Sequence, residues 1–159
     1  MAEVVPKVLI LGHSFVRRDL ELGFDPCAAN DFKLCGTALV HLHGIGGRTM
    51  QTLQANDLHV VRDLAPDIVI LEIGTNDLTH TSPETVGSNI EDFVHLLKRE
   101  FSVRTISICG VIPRGISVPH AMSFWHNASV LNQYVGVVLD DFAYVFCWSH
   151  SEFNSPHKD

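Results

Sequence analysis

Short apolar runs alternate along the chain with longer segments whose apolar positions recur every three or four residues. The runs lie at 7–11, 38–43, 68–73, 105–111 and 143–148, with "IVILEI" the strongest and "ALVHLH" the weakest. Near-continuous Val, Ile and Leu suit strands covered on both faces, as in a parallel sheet. The clearest helical pattern covers 83–100. Ser82 is placed to cap it, and Pro83 occupies the first turn, where a missing N–H costs nothing. Val86, Ile90, Phe93, Val94 and Leu97 then fall on one face, with Glu91, Asp92, Lys98 and Arg99 on the other. Residues 49–64 place Leu53, Val60, Val61 and Leu64 together, and 127–140 do the same with Val130, Leu131, Tyr134, Val137 and Val138. A short helix is expected after Ser14. Strict strand–helix alternation predicts a three-layer α/β/α sandwich around a five-stranded parallel sheet, flavodoxin-like in strand order. A length of 159 residues without repeat or linker suits one domain, 1–159.

In such sheets ligands bind beyond the carboxyl ends of the strands. Gly12-His13-Ser14 follows the first run, "GIGGRT" (44–49) the second, and "GTND" (74–77) the third. Together they offer a hydroxyl, a glycine backbone and a side-chain amide, the parts that acyl transfer needs. Ser14 sits where a strand hands over to a helix, whose N-terminal N–H groups favour negative charge. Gly47 lets a backbone N–H approach a substrate, and Asn76 supplies an NH2 donor. Each also has a plainer reading. Ser14 suits a helix N-cap, the glycines a tight turn and Asn76 a turn cap. Asp77 reads as a brace for its loop.

Composition narrows the field. The chain is 46% hydrophobic and 18% charged, with a formal net charge of -7, so it has material for a core and is a poor partner for nucleic-acid phosphates. Cys27, Cys35, Cys109 and Cys147 form no CxxC pair and read as free thiols in a reducing compartment, with a Cys27–Cys35 disulfide the less favoured alternative. The N-terminus lacks a basic, then apolar leader, and no run reaches the ~20 residues that span a bilayer, so a cytoplasmic location is expected. His41 and His43 would share a face of a strand, but no third ligand is suitably spaced, so no metal is expected. Neither a P-loop lysine nor a dinucleotide glycine fingerprint occurs, and no cofactor is expected.

The blocks "ILGHSF", "GIGGRT" and "VILEIGTND" resemble, in order and spacing, the first three sequence blocks of the SGNH (GDSL-type) hydrolase family, and most resemble the SGNH-like domains of animal retroelement open reading frames. The resemblance implies a serine esterase acting on small acyl esters, with Ser14 as nucleophile and Gly47 and Asn76 as oxyanion donors. It also marks two departures. His13 stands where the family has aspartate. The family's late Asp-x-x-His block has no counterpart in "FCWSHSEFNSPHKD", since Asp77-Leu78-Thr79-His80 belongs to the third block. Of the late histidines, His150 and His157, the latter is the better placed to act as base. Arg48 and Arg114 are candidates for substrate contact, against the plainer reading of solvated arginines. Relative to the family the chain is expected to lack a final helix, which would leave an apolar strip open to a homodimer contact or another partner. The alternative reading is a non-catalytic SGNH-like module for binding or assembly.

Overall fold

The computed structural model describes residues 5–21, 34, 36–112 and 121–149. Strands β1 (Lys7–Gly12), β2 (Leu39–Gly44), β3 (Ile68–Glu72), β4 (Thr105–Cys109) and β5 (Val145–Trp148) form one sheet in the order β2-β1-β3-β4-β5. Every pairing is parallel. The helices are α1 (Ser14–Glu21), α2 (Met50–Asn56), α3 (Leu58–Leu64), α4 (Pro83–Phe101) and α5 (Ala121–Leu139). The expected fold and strand order are therefore present.

Alternation along the strands divides the side chains between two faces. Leu9, Val69, Ile106 and Val145 are in register across the sheet, and Leu11, Leu71 and Ile108 form the next row. These rows join Met50, Leu53, Val61, Ile90, Phe93, Leu97, Leu131 and Leu139 in one core, so α2 to α5 all cover this face. The opposite face carries Val8, Ile10 and Gly12, and α1 packs there through the fully buried Val16. Farther along that face Phe146 and Trp148 are 59% and 64% exposed. Among the described residues no helix is long and apolar enough to cross a membrane.

Helix α4 starts as expected: the Ser82 side chain accepts from the Thr85 N–H, with Pro83 in the first turn. Two expectations need correction. The single helix over 49–64 is broken at Asp57, whose N–H closes α2 on the Leu53 carbonyl and which stands at the N-cap of α3. Its buried carboxylate is the reason, as shown below. The third helix begins six residues before 127, and its seam is turned. Ala128, Leu131, Val135 and Leu139 are buried, whereas Val137 is 69% exposed.

Helices α4 and α5 meet closely at Gly87. A Cβ there would overlap one edge of the Tyr134 ring. Gly87→Ala is therefore expected to lower stability by about 1–3 kcal/mol through overpacking, despite the better helix propensity of alanine. Urea denaturation measures this, and an unchanged midpoint would contradict the packing described.

Candidate active site

The ends of three neighbouring strands are level. Gly12 is in register with Gly44 of β2 and with Glu72 of β3. Backbone hydrogen bonds continue past the strands: the Ile45 N–H donates to the Gly12 carbonyl at 3.2 Å, and the His13 N–H to the Glu72 carbonyl at 3.3 Å. The segments that follow, holding Ser14, Gly47 and Asn76, thus leave the same edge side by side.

Ser14 is the first residue of α1 and is half-buried. The cap is His13. Its carbonyl accepts the Arg17 N–H at 3.2 Å, the first bond of the helix, and its Nδ1 accepts the Phe15 N–H at 3.4 Å. The imidazole is 2% exposed and packs edge-on against Phe15, with ring centroids 5.0 Å apart. Histidine here does what an N-cap side chain does, satisfying an orphan N–H of the first turn.

Gly47 is exposed and has φ +78°, the left-handed region that favours glycine. Its loop is fastened on both sides. One hydrogen of the Asn76 amide goes to the Arg48 carbonyl at 2.9 Å. Asp77 Oδ1 accepts the Met50 N–H at 2.9 Å, at the start of α2, where Thr49 and Thr52 form a reciprocal capping box. Asp77 thus braces its loop, as its position in "GTND" implied. Burial pushes its carboxyl above the ordinary value, although backbone N–H groups, Met50 first among them, pull it down. Its second oxygen is buried with no hydrogen-bond partner among the described residues.

Arg48 is committed within the fold. Its Nε and a terminal nitrogen donate to the two carboxylate oxygens of Asp57 at 2.7 and 2.9 Å. Asp57 is 2% exposed, and His43 Nε2 stands 3.3 Å from it without hydrogen-bond alignment. A buried carboxylate requires such a partner, so the arginine proposed for substrate contact is also a structural clamp. Asp57 and the capping role of His13 are the features that sequence reasoning missed. The only sign of Asp57 was a carboxylate inside an apolar helical pattern. Arg114, His150 and His157 lie outside the described residues, as do Cys27 and Cys35.

Two outcomes follow from this geometry. His13→Ala should lower stability by about 1 kcal/mol, the usual worth of a cap, while His13→Asp, which can accept the same N–H, should lose less. Denaturation midpoints of the two variants check the order. For Asp77 the raised carboxyl means that folding disfavours the ionised form. That stability is fully present below the ordinary value of 3.8 and is lost as pH rises through the raised one. Asp77→Asn keeps an acceptor for Met50, so it should match the wild type in acid and exceed it at neutral pH. Midpoints that stay equal from about pH 3 to pH 7 would contradict this account of the burial.

Comparison with known proteins places this geometry. Residues 24–140, well over half of the chain, match the GDSL-like Lipase/Acylhydrolase family, a span that takes in Gly47 and Asn76 and begins after Ser14. A search of curated proteins found no match. Among solved structures, a GDSL-like lipase from Bacteroides thetaiotaomicron is similar with a TM-score of 0.72 and 16% identity, over 96% of this chain and 73% of that one. An acetyl-xylooligosaccharide esterase from a Geobacillus has a TM-score of 0.68 at 17% identity, over 97% and 81% of the two chains. A psychrotrophic esterase from Pseudoalteromonas has a TM-score of 0.65 at 16% identity, over 90% and 77%. At these identities the structures speak for the fold, and the family match speaks for descent: the chain belongs to the GDSL-like lipase/acylhydrolase family.

Proposed function

We propose that the chain is a serine esterase that hydrolyses small acyl esters at Ser14. The observation that carries this reading is the knot of hydrogen bonds joining the three strand ends, with His13 taking the cap and leaving the Ser14 hydroxyl out of that role. In the proposed reaction the Ser14 Oγ attacks the ester carbonyl carbon while its proton passes to a general base. The oxyanion is held by the Ser14 N–H, the Gly47 N–H and the Asn76 amide, at the positive end of α1. Collapse breaks the bond to the alcohol, which leaves with the proton from the base. Water then repeats the sequence on the acyl-serine and restores the hydroxyl.

His157 is proposed as the base, reaching the site from the tail. Arg114, in the segment after β4, is proposed to line the substrate side, and Arg48 to act through the loop it clamps. The likeness of the three blocks to retroelement-borne SGNH domains belongs to the same proposal, as does a reducing intracellular setting, which suits the free thiols of Cys109 and Cys147. The non-catalytic alternative has no observation of its own to favour it.

A short-chain p-nitrophenyl ester tests the reading. Turnover by the wild type should vanish in Ser14→Ala and fall about 100- to 1,000-fold in Asn76→Ala, the usual loss for one oxyanion donor. His157→Ala should lower turnover strongly if that histidine is the base. Equal rates for wild type and Ser14→Ala would overturn the esterase.

A further inference from the structure

Helix α5 has a glycine in its interior that packing does not require. Glycine is among the poorest residues for a helix interior. At Gly87 the reason for it is visible, because the Tyr134 ring occupies the space a Cβ would take. At Gly136 a Cβ would have nothing within 4 Å. Gly136 instead stands on the wall of a cavity of about 230 Å³ between α5 and the carboxyl ends of β4 and β5.

The wall is mostly apolar, with Ile73, Ile90, Ile108, Leu131 and Val135. Several of its polar groups are already engaged. Asn132 accepts the Val111 N–H at 2.8 Å and donates to the Val111 carbonyl at 3.0 Å. The Gly110 N–H donates to the Trp148 carbonyl at 2.7 Å. Burial, with Glu72 nearby, pushes the Cys109 thiol up to about 11, so it adds no charge at neutral pH. Such a space offers a guest dispersion and shelter from water rather than hydrogen bonds. A cavity of about 150 Å³ with aliphatic walls already stays dry and takes up benzene. Ile73 in its wall immediately precedes the Gly74–Asp77 segment.

We infer that this cavity, larger than one that holds benzene, binds an aliphatic hydrocarbon chain, and that Gly136 keeps it open. The chain is either the hydrocarbon end of an ester held at Ser14 or a free apolar molecule. Binding itself does not depend on the esterase reading.

The test is titration of the full chain with 1-hexanol, followed by titration calorimetry and through the denaturation midpoint. Wild type and Gly136→Ala should both give a saturable response, and Gly136→Leu should weaken it at least tenfold. The alanine variant guards against misfolding, because it removes the glycine while leaving most of the space. No saturable response in the wild type, or equal binding by the leucine variant, would overturn the inference. p-Nitrophenyl acetate and hexanoate then separate the two sources. If the guest is the ester's own tail, Gly136→Leu slows the hexanoate selectively; if it is a free molecule, both esters keep their rates. A chain inactive toward both esters would remove the esterase reading and leave the hexanol titration to decide the cavity.

Discussion

The placement of Ser14 depends on two positions that have no side chain. Gly12 and Gly44 lie side by side at the ends of β1 and β2. A Cβ on Gly12 would overlap the Glu72 carbonyl and stand 2.9 Å from Val16, and one on Gly44 would overlap the backbone of Arg17. Distances that short cannot be relieved by a rotamer change, because most of the opposing atoms are main chain. With bare backbone there, α1 settles onto the strand ends and buries Val16 completely. The first turn of the helix is thereby fixed to the edge of the sheet. Ser14 inherits its position from that contact, not from any bond made by its own hydroxyl.

The second loop is held by different physics. A segment containing an exposed glycine at φ +78° has little intrinsic reason to keep one shape. It is pinned by two buried carboxylates acting from different elements. Asp57 grips Arg48 through both oxygens, and Asp77 grips the first N–H of α2. Buried charges are costly unless paired, so each carboxylate favours only conformations that keep its partner. The Asn76 amide adds a bond to the Arg48 carbonyl. The loop is thus ordered from its neighbours, and the same contacts set Gly47 and Asn76 relative to each other.

Much of this was legible in the sequence because it is local. Each strand is a dense apolar run, and Ser82-Pro83 announces α4 with its own capping chemistry. The three strand-end blocks also stand out, because glycines and polar residues there interrupt strong apolar patterns. What was not legible depends on contacts outside a segment's own pattern or on a pattern without phase. The break at Asp57 depends on Arg48, which lies nine residues earlier and just outside the helical pattern. Helix α5 is valine-rich on several sides, so Val130, Val135, Val137 and Val138 do not by themselves choose the seam; contact with the sheet chooses Val135 and Leu139. The cap at His13 was hidden because histidine is not a usual cap residue.

Strand order explains why the chemistry collects between β1 and its neighbours. The chain steps one way from β1 to β2, then reverses and passes over β1 to β3, and continues in that direction to β4 and β5. Parallel crossovers are right-handed, so the direction of each step decides which face its helix covers. The one step from β1 to β2 sends α1 to one face, and the later steps send α2 to α5 to the other. Segments leaving β1 and β3 therefore part toward opposite faces, and a crevice opens where they separate. Ser14 approaches that crevice from the α1 side, while Gly47 and Asn76 approach from the side of α2 and α4. The proposed nucleophile and the proposed donors Gly47 and Asn76 thus come to a bound carbonyl from different sides, and the reversal in strand order supplies that arrangement before any side chain is chosen. The same rule accounts for the uneven layers: a single step in the first direction leaves one described helix on that face, and Phe146 and Trp148, at the far edge, lie beyond its reach.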